Sequence, residues 1–142
     1  MAAKGLADTG AILALLDRDD GWHEACVEAF AKLRAPLLTS EAVLTELFYL
    51  ADRRLHEVER AWTFVRSGVL TLGSITDRDL PALSSLMNRY RDRPMDFADA
   101  TLVHLAERES LSTILTVDVA DFQTYRIAGQ KRFRILPAAL RV

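Results

Sequence analysis

Thr113-Ile114-Leu115-Thr116-Val117-Asp118 decides the fold. Its first five residues carry no charge, and all but Leu115 are β-branched, the side chains that suit a pleated backbone. An uncharged strand of this kind belongs in a parallel sheet covered on both faces. It ends on an acid, Asp118. Downstream, a loop with a short helical turn leads to a last strand over residues 133–136. Upstream, Pro94 closes one segment and a new helix opens at Asp96, a natural N-cap.

The start of the chain repeats the arrangement. Residues 4–7 form a short strand running into Asp8-Thr9-Gly10, followed by a helix over 11–16 and a polar turn over 17–21. A helix over about 22–33 places Ala25, Cys26, Ala29, Phe30 and Leu33 on one face. Residues 36–39 make the second strand. Ser40 caps the next helix, and Glu41 suits its first turn. That helix runs to about Arg54 over the apolar stripe Val43, Leu44, Leu47, Phe48, Leu50 and Ala51. Another covers 56–66 and stops at Gly68, and residues 69–74 are strand-like. Thr76 then caps a helix, with Asp79 as the acidic partner of a capping-box-like pair and Leu80, Leu83, Leu86, Met87 and Tyr90 as its buried face. Short apolar runs alternating with helical stretches predict an α/β fold with a mainly parallel sheet. With no repeat, low-complexity tract or linker, the 142 residues predict one domain, 1–142.

Half of the residues are apolar and 27% are charged, which excludes a disordered or fibrous chain. The net charge of -2 argues against a dedicated, basic nucleic-acid binder. Yet of the 18 basic residues only Lys4, Lys32 and Lys131 are lysine. The arginines offer planar donor forks suited to phosphate, and Arg53, Arg54, Arg91, Arg93 and Arg126 are candidates for that contact. The single Cys26 can form no internal disulfide and falls in an apolar helical pattern, so a buried structural thiol in a reducing, cytoplasmic setting is expected. The apolar run near the start is interrupted by Asp8 and is too short to span a bilayer.

Four carboxylates stand out. Asp8 and Asp118 each follow a strand, and ligands of an open parallel sheet collect at the carboxyl ends of strands. Glu46 falls at the edge of its helix's apolar stripe, beside the core. Asp99 sits in the first turn of its helix. Each has a plainer use: Asp8 and Asp118 as turn formers, Asp99 as a favourable N-terminal charge or the capping partner of Asp96, Asp121 as a turn or cap residue. Gathered in one crevice, however, such carboxylates repel unless a proton or cation intervenes. An all-carboxylate set suits hard divalent ions such as Mg²⁺ or Mn²⁺. His23, His56 and His104 show no zinc spacing with one another or with Cys26, and His104 reads as a packing or surface residue. The chemistry that follows is phosphodiester hydrolysis, with Thr9 and Thr116 as accessories that orient water or ligands.

Read in order, Leu6-Ala7-Asp8-Thr9-Gly10-Ala11-Ile12-Leu13-Ala14-Leu15 with the acids at 17–20, Thr45-Glu46, Met95-Asp96-Phe97-Ala98-Asp99-Ala100-Thr101-Leu102, and Thr116-Val117-Asp118-Val119-Ala120-Asp121-Phe122 resemble the four acidic motifs of PIN domains. The resemblance spans nearly the whole chain, and it extends to the VapC-like toxins of bacterial VapBC toxin–antitoxin pairs. It implies an α/β/α sandwich and a Mg²⁺- or Mn²⁺-dependent endoribonuclease. By position, Asp8, Glu46, Asp99 and Asp118 would be the catalytic and metal-binding set, with Asp96 as an accessory. It also implies an RNA substrate, a small antitoxin whose C-terminal segment fills the active-site groove, and a homodimer. An exposed apolar patch would favour a dimer, with Phe48, Trp62 and Phe64 as candidates for it, although core packing is the commoner fate of such residues. Two other classes compete. A receiver-type signalling module would need an acidic neighbour for Asp8 and a lysine after a late strand, and no lysine lies between Lys32 and Lys131. An inert PIN-fold interaction module would have no use for the four acids.

Overall fold

The computed structural model describes residues 2–138; Met1 and 139–142, the ends of the expected 1–142 unit, lie outside that range. Its strands are only two or three residues long, so burial rather than ladder length holds them. The strands β1 (Leu6–Ala7), β2 (Leu37–Thr39), β3 (Leu70–Leu72), β4 (Thr113–Leu115) and β7 (Arg134–Leu136) form one parallel sheet in the order β3-β2-β1-β4-β7. Leu6, Leu37, Ile114 and Leu115 are wholly buried, as a sheet covered on both faces requires. The covering helices are α1 (Thr9–Leu16), α2 (His23–Leu33), α3 (Glu41–Leu50), α4 (Val58–Arg66), α5 (Leu80–Arg89), α6 (Phe97–Arg108) and the short α7 (Val119–Thr124). A small antiparallel hairpin, β5 (Arg126–Ile127) with β6 (Lys131–Arg132), replaces part of the expected late loop. It turns through Ala128 and Gly129, both at positive φ.

The strand order places the functional edge. From β1 the chain steps outward through β2 to β3, then returns to the other side of β1 with β4. The carboxyl ends of β1 and β4 therefore lie side by side where the winding reverses, the switch point at which such sheets bind ligands.

Four expectations need correction. The helix capped by Asp8 starts at Thr9 rather than Ala11, because the Asp8 carboxylate already accepts from the Thr9 amide. The helix bearing Glu46 stays α-helical only to Leu50 and widens into a π-turn, Ala51–Leu55, ending at His56 in the left-handed region. The next helix consequently begins at Val58, not at His56. Thr76 and Asp79 do form a capping box, but over a 3-10 turn, Asp77–Asp79, and α5 begins only at Leu80. That change rotates Leu80 outward, to 48% exposure, and leaves Leu83 as the deeply buried residue of the face.

Cys26 is fully buried, and burial first, then the charge of Asp20, pushes its thiol up to about 12, so it is inert packing. His104 lies 2.8 Å from Asp79, a structural pairing rather than a free base. Among the described residues no helix is long and apolar enough to cross a membrane.

Candidate active site

Asp8 is fixed by the junction of three elements. Its amide donates to the Leu115 carbonyl of β4 (3.0 Å), which seats it at the paired ends of β1 and β4. Oδ1 accepts from the Thr9 amide (2.8 Å) and Oδ2 from the Thr116 hydroxyl (2.9 Å). Thr116 Oγ1 in turn accepts from the Asp118 amide (3.0 Å). One buried hydroxyl thus ties together two acids 110 positions apart in numbering, Asp8 and Asp118. The Asp8 carboxylate is shared between two elements: Oδ1 caps α1 and Oδ2 meets Thr116 just past β4.

Asp99 comes from the first turn of α6. Asp96 caps α6, its Oδ1 accepting from the Asp99 amide (2.8 Å), and this sets the first turn that turns Asp99 inward. The Asp99 side chain is only 8% exposed, and its Oδ2 accepts from the Tyr125 hydroxyl (2.9 Å). The Ser40 hydroxyl at the start of α3 bonds Thr101 of α6 (2.8 Å), locking the helix of Glu46 to the helix of Asp99. Thr9 gives its proton to the Val43 carbonyl (3.4 Å), fastening α1 to α3 as well. Glu46 is half-buried on α3, and Asp118 and Asp96 are the more exposed members of the group.

The acids feel one another. Burial pushes Asp99 up to about 8, helped by the charges of Asp8, Asp96 and Asp118 and opposed by the Tyr125 hydrogen bond. Burial pushes Asp8 up to about 7, against the hydrogen bonds from Thr116 and Thr9 and with the charges of Asp118 and Glu46. Glu46 is raised by burial, then by Asp96 and Asp118. Asp118 is raised by burial, then by Asp121, with a hydrogen bond to Asp8 in opposition. The fold therefore brings Asp8, Glu46, Asp96, Asp99 and Asp118 into one electrostatic field. Among the described residues no group of three or more His, Cys, Asp or Glu side chains is placed so that it could hold a metal ion as the side chains stand. The five acids share a field and not a coordination sphere.

Two participants escaped the sequence reading. Tyr125 is buried, wedged edge-on between Tyr90 and Phe122, and its hydroxyl partner lies 26 residues away. Only the spacing of Phe122 and Tyr125 at the end of α7 hinted at an inward aromatic. The second is Gly10: a Cβ there would lie 2.6 Å from Val117 Cγ2. Glycine lets the first turn of α1 press against the segment that presents Asp118.

The five candidate arginines have protein partners. Arg54 pairs with Asp20 (3.1 Å), Arg93 with Asp121 (3.0 Å), and Arg91 with Asn88 (3.2 Å). Arg126 donates to the carbonyls of Gln123, Thr124 and Tyr125, and Arg53 lies over the Tyr49 ring. Arg93 is the one tied to the cluster, because its partner Asp121 acts on Asp118.

Replacing Thr116 by Val removes both hydrogen bonds of that bridge. The expected result is a stability loss of about 1–3 kcal/mol, the range for stranding buried polar partners, with turnover down at least tenfold. Thr116→Ser, which keeps the hydroxyl, restores most of both. Thermal melts and rates of the two variants check this, and a Val variant equal to the native protein would remove the bridge from the site.

Comparison with known proteins agrees with this geometry. The PIN domain family model matches residues 6–127. Ribonuclease VapC26 of Mycobacterium tuberculosis is 30% identical over 135 residues, covering 93% of this chain and 99% of that protein. The crystal structure of Mycobacterium tuberculosis VapC20, a sarcin–ricin loop cleaving toxin, superposes with a TM-score of 0.73 at 21% identity, covering 82% of this chain and 93% of that one. A sheet wound outward from β1 in both directions, acids at the reversal and a family match from β1 through β4 and α7 lead to one conclusion: the chain belongs to the PIN-domain family and, within it, to the VapC-like ribonucleases.

Proposed function

We propose that this protein is a Mg²⁺- or Mn²⁺-dependent endoribonuclease and the toxin of a cytoplasmic toxin–antitoxin pair, with Asp8, Glu46, Asp99 and Asp118 holding the metal and Asp96 as accessory. One observation carries the reading: Asp8 and Asp99 are both buried, and the Thr116 hydroxyl ties Asp8 to Asp118, with burial, first of all, raising both buried acids and the charge of Asp8 adding to the rise at Asp99. Such a group is unfavourable for folding unless a cation offsets it. The donors are all oxygen, which fits a hard divalent ion and not zinc. When bound, the ion supplies an activated water and neutralises charge on the scissile phosphate.

The chain's own residues do the rest. Thr116 orients Asp8 and the Asp118 backbone at once. Asp96 fixes the helix turn beneath Asp99, and the Tyr125 hydroxyl favours the charged form of Asp99. RNA as substrate class is supported by the names of the relatives, a ribonuclease and a toxin that cleaves the sarcin–ricin loop. An antitoxin and a homodimer belong to the same proposal, supported by the exposed Trp62, tilted against Phe48 with ring centroids 4.4 Å apart, and the exposed Tyr49. Phe64 is instead half-buried against Phe30.

Purified protein incubated with total RNA should cut it with Mn²⁺ and leave it intact with EDTA. RNA that survives saturating Mn²⁺ overturns the proposal. Tyr125→Phe gives a finer expectation. A hydrogen bond to a charged group is worth about 1.5–3 kcal/mol and one pH unit about 1.4 kcal/mol. Its loss should move Asp99 further up, displace the rising limb of the pH–rate profile by about one pH unit toward alkali at Mn²⁺ below saturation, where protons compete with the metal, and leave the alkaline plateau nearly unchanged. An unmoved limb would separate Tyr125 from the chemistry.

A further inference from the structure

Trp22 occupies the N-cap position of α2 yet makes no capping hydrogen bond. Helix chemistry prefers Ser, Thr, Asp or Asn there, so the helix gains nothing from an indole at this place. The loop around it is instead pinned. Asp20 Oδ1 accepts from the Trp22 amide (2.8 Å), while Asp20 Oδ2 accepts from Arg54 (3.1 Å). On the other flank His23 Nδ1 donates to the Ala14 carbonyl at the end of α1 (2.7 Å). The half-buried indole packs with one part on the core and lines, with its remainder, an open groove of about 490 Å³. The same groove is lined by Val117, Asp118, Val119, Ala120 and Asp121. It is mostly apolar, it contains one of the cluster carboxylates, and the second acid, Asp121, is offset by Arg93.

We propose that Trp22 is a stacking platform for a nucleobase of the RNA strand beside the scissile phosphate, and so an affinity-determining residue of this site. The inference rests on the ribonuclease reading and extends it. A rigid aromatic face next to the acids is what a single-stranded substrate can use, because every base has a π-face and stacking needs no sequence match. A groove of this size falls within the roughly 300–1,000 Å³ of small-ligand sites, room enough for a nucleoside. The held backbone on both sides of the indole means little ordering is left for the moment of binding.

The probe is single-stranded oligoadenylate labelled with fluorescein. In Mn²⁺, Trp22→Leu, which keeps apolar packing without a π-face, should raise KM about tenfold or more with kcat little changed, and Trp22→Phe should recover most of the loss. Independently, Trp62→Phe leaves Trp22 as the only tryptophan. Its emission should be quenched by phosphorothioate-linked oligoadenylate over the concentration range in which the anisotropy of the label reports binding. Trp22→Leu with native KM, or emission unmoved while anisotropy shows the oligonucleotide bound, overturns the platform and leaves the ribonuclease reading intact. If the native protein with Mn²⁺ neither binds nor cuts the oligonucleotide and spares total RNA, the ribonuclease reading falls and the platform with it.

Discussion

Asp99→Asn is expected to lower Mn²⁺-dependent RNA cleavage by about a thousandfold or more, while the metal-free variant melts higher than the native protein at pH 8. The first half follows from charge. Asparagine keeps the shape of the side chain and can still accept from the Tyr125 hydroxyl, but it offers a metal no anionic oxygen. Losing one anionic ligand removes several kcal/mol of transition-state stabilisation, and about 4 kcal/mol is a thousandfold in rate. The second half follows from burial. Native Asp99 has its carboxyl pushed up to about 8, so at that pH folding must hold a partly ionised acid beside Asp8, Asp96 and Asp118. The neutral amide has no such conflict. A variant that loses activity and also loses stability would mean a merely damaged fold; one that cuts RNA at the native rate would take Asp99 out of the metal set. The combination of lost turnover and gained stability is specific to a charged group kept for function.

The metal-free protein should lose stability as pH rises from 5 to 8, and saturating Mn²⁺ should abolish that slope. In the unfolded chain Asp8 and Asp99 ionise near 3.8; in the folded protein they do so near 7 and 8. The native state therefore holds protons that the unfolded state releases. Their stabilising contribution is complete below about pH 4 and is lost as pH climbs through the folded values. A carboxyl that ionises one pH unit higher in the folded chain than in the unfolded one contributes about 1.4 kcal/mol. The two groups share one field, so their joint effect is smaller than that of two isolated acids, on the order of a few kcal/mol. For a chain of this size that is a fall of roughly 10 °C in melting temperature. Asp79 works in the opposite sense: the Thr76 amide and His104 hold its carboxyl well below the usual range, so its contribution is lost only on acidification below about pH 4, outside this window. Differential scanning fluorimetry from pH 5 to 8, with EDTA and with Mn²⁺, reads the slope directly. Calorimetry in buffers of different ionisation enthalpy should show protons released as metal binds near pH 6.5. A flat or rising melting temperature in EDTA would show that the acids are not held apart from water as described.

The same physics explains why the two largest expected effects fall on residues that a stability-minded sequence would avoid. Asp8 and Asp99 are buried acids with good hydrogen bonds from Thr116, Thr9 and Tyr125. These bonds lower the cost of the charge without removing it, since burial still dominates both. The family's shared framework, spanning residues 6–127, is the part that carries this tension. Outside the cluster, charged residues are paired in ordinary fashion, as in Lys32 with Glu28 and Arg108 with Glu109.

Short-range rules, acting over one strand or one helical turn, were written in the sequence itself. The β-branched run before Asp118 required a strand buried on both faces. Asp96 and Ser40 declared two helix starts, and the stripe around Glu46 placed that acid beside the core. Because such preferences come from neighbours within four residues, they survive without knowledge of the rest of the chain. What the tertiary structure alone decided is every pairing that spans the winding of the sheet: Thr116 on Asp8, Tyr125 on Asp99, Val117 against Gly10, and Arg54 on Asp20. The outward turn of Leu80 and the π-turn after Leu50 belong there too, since packing between helices sets where each helix tightens or widens. Residues far apart in the chain meet only once the strand order is fixed, and that order minimises the free energy of the whole core, a sum that no local segment contains.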